Sequence, residues 1–412
     1  MNTPEILRHL SQSMEHELLN HILPYWKTTM VDQEQGGFFG KIDGKNKVIR
    51  NAPKGGILNA RILWSFSSAF RQYPDPSNLL AAKRAYAYFT HYFIDPVYGG
   101  VYWMLESTGA PLDEKKHVYA QSFAIYALSE YFLATQDRTA LDKAIDLFHR
   151  VEKNAFQAET NGYLEAFSRS WKPLDDVRLG VSDAPEKRSF NTHLHLLEAY
   201  ANLYRAWPDP VLKTQLANLI ELHIGPMYDA GTGRFIAFFD EFWTPRSPVH
   251  SYGHDIESAW LIVDAAEAIG DAGLIERTRT VAVDVAHATR KEGIDPKNGG
   301  IFNNGIGGKP MDTDKHWWAQ AEGIVGYLNA WQLTGDDSFV ETAGSLWQFI
   351  ETNLLDRENG EWYWRVDKDG VKNTFEDKAG PWKCPYHTAR ACLEVQRRLQ
   401  VAAELETVLV KA

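Results

Sequence analysis

Asp95 to Trp103 reads DPVYGGVYW: an aspartate opens a turn, a Gly-Gly pair closes it, and apolar and aromatic residues follow. The same unit recurs as DQEQGGFF (Asp32 to Phe39), ETNGYLEAF (Glu159 to Phe167), DAGTGRFIAF (Asp229 to Phe238), DPKNGGIF (Asp295 to Phe302) and DRENGEWYW (Asp356 to Trp364). With Gly37, Gly100, Gly162, Gly233, Gly300 and Gly360 as marks, the chain repeats every 60 to 70 residues or so, room for two helices and a loop.

Between the marks, apolar residues fall at i, i+3, i+4 and i+7, with Pro, Asp and Gly in the connections. This predicts helix pairs at 56–70 with 79–93, 118–133 with 141–151, 190–204 with 211–223, 255–269 with 274–288, and 316–333 with 338–350. The last helix, 386–401, lacks a partner until the N-terminal helix, 6–23, is brought round to it. Neither end carries a polar capping repeat, so a closed ring is expected rather than an open solenoid. The expected fold is all-α, an (α/α)6 barrel of six helical hairpins with short β-hairpin-like loops at one end, residues 1–412 forming a single catalytic domain.

Composition narrows the function. The net charge of −11, from 43 Lys and Arg against 54 Asp and Glu, argues against a nucleic-acid or anionic-membrane partner. Cys384 and Cys392 are too few for a disulfide framework, the N-terminus lacks a signal-peptide core, and no segment approaches a membrane span, so a cytoplasmic protein is expected. The 14 Trp, 18 Tyr and 20 Phe serve mostly as large core residues, but flat aromatic groups also stack on the C–H faces of sugar rings.

The helices that directly follow the turns are the inner-ring candidates, and their beginnings are rich in chemistry: Asn59 and Arg61; Tyr119 and Gln121; Asn191, His193 and His195; His254, Asp255 and Glu257; His316, Trp317, Trp318, Gln320 and Glu322; and His387. In a closed ring they meet at one end. Asn191 and His195 are four apart and His254 and Glu257 three apart, so each pair shares a helix face; His193 and His195 point apart, so only one lines a cavity. No HExxH, phosphate loop or GxSxG is present, and the DxD of Asp312 and Asp314 reads as a solvated turn, so no metal and no cofactor are expected. The positive end of a helix dipole disfavours protonation of an imidazole, keeping a neutral base at pH 7. Two such bases on opposite sides of one carbon, with Arg61 to hold a developing oxyanion, suggest enolisation.

These residues lie in motifs that resemble the N-acylglucosamine 2-epimerase superfamily, and most closely its cellobiose 2-epimerase branch. The motifs are HILPYW (His21 to Trp26), GGFFG (Gly36 to Gly40), APKGGILNARILW (Ala52 to Trp64), NTHLHLLEAY (Asn191 to Tyr200), SYGHDIESAWL (Ser251 to Leu261), DTDKHWWAQAE (Asp312 to Glu322) and KAGPWKCPYHTAR (Lys378 to Arg390). The resemblance covers nearly the whole chain and implies the same barrel and a small-molecule sugar substrate. It implies His254 and His387 as the acid/base pair, with His195 assisting ring opening or enediolate stabilisation. Arg61, Asn191 and Glu257 would hold substrate oxygens and orient the imidazoles. Tyr119 stands at a matching point, Trp317 and Trp382 resemble sugar-stacking tryptophans, and Asp183, in the loop from Lys172 to Ser189, would belong to a segment closing over substrate.

The implied reaction interconverts reducing-end glucose and mannose of β-1,4-linked disaccharides such as cellobiose or lactose, through ring opening and a cis-enediolate. Mannose 2-epimerisation or aldose–ketose isomerisation of a monosaccharide would use the same histidines. A glycosidase would need a carboxylate pair from Asp255, Glu257 and Glu322 and leaves the imidazoles without a role; a sugar-binding protein needs only the tryptophans. Ala319 stands where the family pattern has proline and Asn304 where an acidic residue is expected, both on loops expected to shape the second sugar's subsite.

Overall fold

The computed structural model describes residues 1–180 and 183–411. Six helices form an inner ring: α3 (Gly56–Gln72), α5 (Val118–Thr135), α7 (Phe190–Ala206), α9 (Tyr252–Ile269), α11 (Trp317–Thr334) and α13 (Pro385–Lys411). Six partners lie outside. They are α1 (Thr3–Glu17), prolonged by a π turn at Leu18–Ile22 and α2 (Leu23–Thr28), then α4 (Pro76–Tyr88), α6 (Arg138–Ala155), α8 (Pro210–Ile224), α10 (Ala272–Gly293) and α12 (Ser338–Asn353). Each inner helix packs on the next, and α13 packs on α3, so the ring closes; α1 fills the outer position against α12 and α13. The expected (α/α)6 barrel is the observed fold.

The two ends of the ring differ for local reasons. At one end, inner and outer helices are joined by links of two or three residues, and Asp75, Asp137, Asp209 and Asp271 accept backbone N–H groups as N-caps of α4, α6, α8 and α10. At the other end lie the glycine turns. Each short strand before an inner helix pairs antiparallel with the strand one repeat later: Lys54–Gly55 with Met104–Leu105, Lys116–His117 with Ala166–Phe167, Arg188–Ser189 with Phe238–Phe239, Val249–Ser251 with Asn304–Ile306, and Lys315–His316 with Arg365–Val366. The sixth link runs from the last repeat to the first. Ile42 N–H donates to the Ala379 carbonyl at 2.8 Å and Ala379 N–H to the Ile42 carbonyl at 3.2 Å.

The aspartate that opens each turn has a structural task. Asp95 Oδ1 accepts the N–H groups of Val97 and Tyr98 (2.9 and 3.2 Å), while Oδ2 accepts from the buried Lys116 ammonium at 3.1 Å. The pair recurs as Asp32 with Lys54 (2.8 Å), Asp295 with Lys315 (2.7 Å) and Asp356 with Lys378 (3.0 Å). In the third repeat Arg188 stands at the lysine position and donates to the Thr160 carbonyl at 3.2 Å. The second turn glycine has positive φ at Gly37, Gly100 and Gly300, which a side chain would strain; the last turn has one glycine, Gly360, at the first position, and Glu361 takes the left-handed second position. At Gly162 the left-handed residue is its neighbour Asn161.

Candidate active site

Five inner helices start directly from such a strand and α13 follows the Ala379 bridge, so residues at equal counts from the helix starts stand at matching heights around the ring. At 100° per residue, the fourth residue of a helix faces away from the second and sixth. The fourth positions pin the turns of the wall. Gln121 accepts the Val101 N–H (2.8 Å) and donates to its carbonyl (3.0 Å), and Gln320 does the same for Ile301 (2.6 and 2.9 Å). His193 accepts the Tyr163 N–H at 3.3 Å, and Asp255 that of Phe235 at 2.9 Å. Part of the polar ring read from the sequence is therefore scaffold, and of the two histidines of NTHLH it is His195 that turns inward.

The sixth positions are Arg61, Phe123, His195, Glu257, Glu322 and Arg390, one from each inner helix. They form a buried charged layer. Arg390 donates to Glu198 (2.5 Å), to Glu257 and to Glu322 (2.6 Å). Glu198 also faces His195 Nδ1 at 2.8 Å, and Glu322 faces His387 Nδ1 at 2.7 Å. Arg61 differs. Among the described residues no carboxylate lies within 4.0 Å of it; its Nη2 donates to the Tyr119 hydroxyl at 3.0 Å, and it stacks 4.1 Å from the Phe123 ring centre and 4.7 Å from that of Tyr386.

Above this layer, the second and third positions supply Tyr119, Asn191, Trp318, Tyr386, His254 and His387. His254 and His387 are both third residues of their helices, and both rings approach Trp318, at 4.7 and 5.7 Å between centres. Gly253 allows this: a Cβ there would lie 2.5 Å from Trp318 Cη2, so any side chain would push the indole off the first turn of α9.

Electrostatics follow from burial. Burial lowers His254 to about 4, with the Arg61 charge acting in the same direction. His387 is lowered to about 3 because burial outweighs the pull of Glu322 in the opposite sense. His195 is driven well below the ordinary histidine value by burial and then by Arg61 and Arg390. Burial, then the neighbouring Glu322 charge, raises Glu257 to about 8. For Glu322 burial opposes ionisation, but Arg390 and His387 prevail and hold it near 2. Three neutral imidazoles thus sit around the Arg390–Glu322 ion pair, with Glu257 biased towards its neutral form.

A cavity of about 490 Å³ opens beside His254 and Trp318 and is also lined by Asn191, Asp183, Asn304 and Glu165. A smaller one, about 90 Å³, is lined by Trp382, Trp103 and Gly56; Leu179 lines both. The loop before α7 thus runs between the two cavities, held by the Val177 carbonyl against His117 Nε2 at 3.0 Å. Asp183 accepts the Gly180 N–H at 2.9 Å; Val181 and Ser182 lie outside the described residues.

Two expectations change. Trp317 does not line the cavity: it is 3% exposed, packed on Trp364 at 4.8 Å with the Lys383 ammonium 5.0 Å from its ring. The helix begins at Trp317 itself, and the 100° step to the next residue gives the cavity to Trp318. For the same reason Ala319 is a buried third residue of α11 rather than a loop residue, whereas Asn304 does line the cavity. Glu198, Tyr386 and Arg390 escaped the sequence reading; aligning the six inner helices at their first residues would have set Arg390 in register with Arg61.

Glu257, Glu322 and His387 place one ligand atom each within 4.8 Å of one another, a grouping that could hold a metal ion. The cation on both carboxylates is the Arg390 guanidinium.

Residues 37–391 match the sequence model of the N-acylglucosamine 2-epimerase family. The chain belongs to that family. A cellobiose 2-epimerase from Bacteroides fragilis is 46% identical over 94% of this chain and 98% of its own length. One from Ruminococcus albus is 38% identical over 93% and 98%. The solved structure of cellobiose 2-epimerase from Bacillus thermoamylovorans B4167 superposes with a TM-score of 0.90 at 40% identity, covering 95% of this chain and 100% of that one. The chain is accordingly an enzyme of the epimerase class.

Proposed function

We propose that the enzyme interconverts glucose and mannose at the reducing end of a β-1,4-linked disaccharide such as cellobiose or lactose. The observation that carries the reading is the pair of neutral, buried imidazoles, His254 and His387, meeting at one indole beside Arg61, which has no carboxylate partner among the described residues.

After ring opening, assisted by His195, one of the two imidazoles takes the C2 proton and the negative charge moves to the C1 oxygen. Arg61 is suited to hold that charge, because its own is not already spent on a carboxylate. The other imidazole, protonated at Nε2 by a solvent proton, donates it to the opposite face of the cis-enediolate and returns to its neutral form, giving the epimer, while the first imidazole releases the abstracted proton to solvent. Tyr119 orients Arg61; Asn191, with a buried Oδ1 that has no partner among the described residues, and Glu257, with a buried free Oε2, are candidates for sugar hydroxyls. Trp318 is the stacking platform inside, and Trp382 and Asp183 serve at the mouth. The cavity beside His254, at about 490 Å³, falls in the ~300–1,000 Å³ range of small-molecule sites; the choice of a disaccharide is supported by the similarity to cellobiose 2-epimerases. We further propose that residues 1–412 work as one catalytic domain, and in the cytoplasm, where the free, buried thiols of Cys384 and Cys392 stay reduced.

The test is incubation of the protein with cellobiose, lactose, mannose and glucose separately, with products identified by NMR. Epimers of the two disaccharides are expected as the fastest products. Faster turnover of mannose would replace the disaccharide reading with the monosaccharide one, and free glucose released from cellobiose would make the enzyme a hydrolase.

A further inference from the structure

Arg390 is surrounded on every side by groups that titrate or carry charge: Glu198 from α7, Glu257 from α9, Glu322 from α11 and Tyr386 from its own helix, with Tyr126 of α5 and Arg61 of α3 beyond the Tyr386 ring. Two of the carboxylates reach on to histidines. The result is one continuous path, His195 Nδ1 to Glu198 (2.8 Å), Glu198 to Arg390 (2.5 Å), Arg390 to Glu322 (2.6 Å) and Glu322 to His387 Nδ1 (2.7 Å).

A carboxylate that is ionised only accepts, so a neutral imidazole facing it must carry its proton on the facing nitrogen. The guanidinium fork is planar and always charged, so it fixes both carboxylates in place; it holds Glu322 ionised and, at Glu198, opposes the burial that pushes that carboxyl up. We propose that Arg390 is a positioning residue that locks His195 and His387 as Nδ1–H tautomers, so that both present Nε2 to the substrate as acceptor. This rests on the epimerase reading for what the two imidazoles then do. Arg61, in the same layer, cannot take the role because no carboxylate stands within 4.0 Å of it among the described residues. The third carboxylate supports the arrangement: burial and the adjacent Glu322 push Glu257 towards its neutral form, leaving the charge of Arg390 to the two histidine partners.

The test joins a spectroscopic and a kinetic measurement. In wild-type protein labelled with 15N-histidine, His195 and His387 are expected to show protonated Nδ1 and unprotonated Nε2 at pH 7; an Nε2–H tautomer at either one overturns the proposal, whatever sugar the enzyme prefers. Arg390→Gln is expected to lower kcat by on the order of 10- to 100-fold with KM little changed, the usual effect of losing an orienting partner. It should also move the acid limb of the pH profile upward, because Glu198, Glu322 and both imidazoles all bind protons more readily without the neighbouring cation. Arg390→Lys keeps the charge without the fork and should lose kcat while leaving the limb near its wild-type position. A loss of activity that only tracks the folded fraction, with the limb and the tautomers unmoved, would reduce Arg390 to a structural residue. Should neither variant fold, the tautomers of the wild-type protein still decide. Absence of wild-type epimerisation would overturn the function and leave the tautomer result standing on its own.

Discussion

His254 and His387 must be unprotonated to remove a proton from carbon, and burial defers their protonation until the pH falls through about 4 and about 3. Proton abstraction is therefore expected to hold level from neutrality down to about pH 5 and to fall only below it, where an exposed histidine would already have lost activity near 6.5; a kcat/KM profile checks this. His254→Ala and His387→Ala should each abolish epimerisation, and wild-type product formed in D2O should carry deuterium at C2. Wild-type turnover in either variant would remove that histidine from the pair. The tryptophans divide by position: Trp318→Ala should raise KM or lower kcat with little change in Tm, whereas Trp317→Ala should lower Tm, since it removes a buried ring, at a cost of about 3–5 kcal/mol. The histidines were legible in the sequence because imidazoles at successive helix starts are conspicuous in chemical terms. The choice between Trp317 and Trp318 was not, since it turns on a single residue of helix register that hydrophobic periodicity does not resolve. Arg390 escaped for another reason: its partners lie 68 to 192 residues away in the chain.

The aspartate-led turn is the element that makes the barrel's upper rim. Burial works against ionisation of Asp32, Asp95, Asp295 and Asp356, yet the Arg169 guanidinium at Asp95, together with turn N–H groups and lysine ammoniums, holds all four below the ordinary carboxylate value. The ionised form is thus favoured by the fold; its stabilisation is complete above the unfolded value near ~4 and is lost as the pH drops below it. Thermal melts are expected to show Tm declining across that acid range. Removing one partner of a buried pair strands the other, so Lys315→Met should destabilise by about 3–5 kcal/mol, and adding Asp295→Asn should recover part of the loss. Urea unfolding of the two singles and the double checks the cycle; strict additivity would deny the coupling. The turns were legible as a repeat because Gly and Asp mark them locally. Their lysine partners, some 20 residues downstream, were not, because a buried lysine and a surface lysine look the same in a sequence.

For the whole molecule, the closing contacts join the two ends of the chain: Ile42 to Ala379 at the rim, and α1 to α12 and α13 along the wall. Ring closure could be inferred from the sequence by counting, since the last inner helix had no other partner. Ile6, Leu10, Met14, Leu18 and Ile22 all bury their side chains there. At about 1.5–3 kcal/mol each, their burial rivals the 5–15 kcal/mol net stability of a typical protein. A variant lacking residues 1–28 should therefore fail to fold cooperatively, as circular dichroism during heating would show. The same closure sets a timetable during synthesis. At roughly 5–20 residues per second, the apolar stripe of α1 leaves the ribosome some tens of seconds before α13, its partner, is made. Every nascent copy spends that interval with its first helix uncovered, so the moment of greatest exposure to aggregation comes before the final repeat is translated, and a chaperone that holds the N-terminal helix would act on this protein while it is still being made.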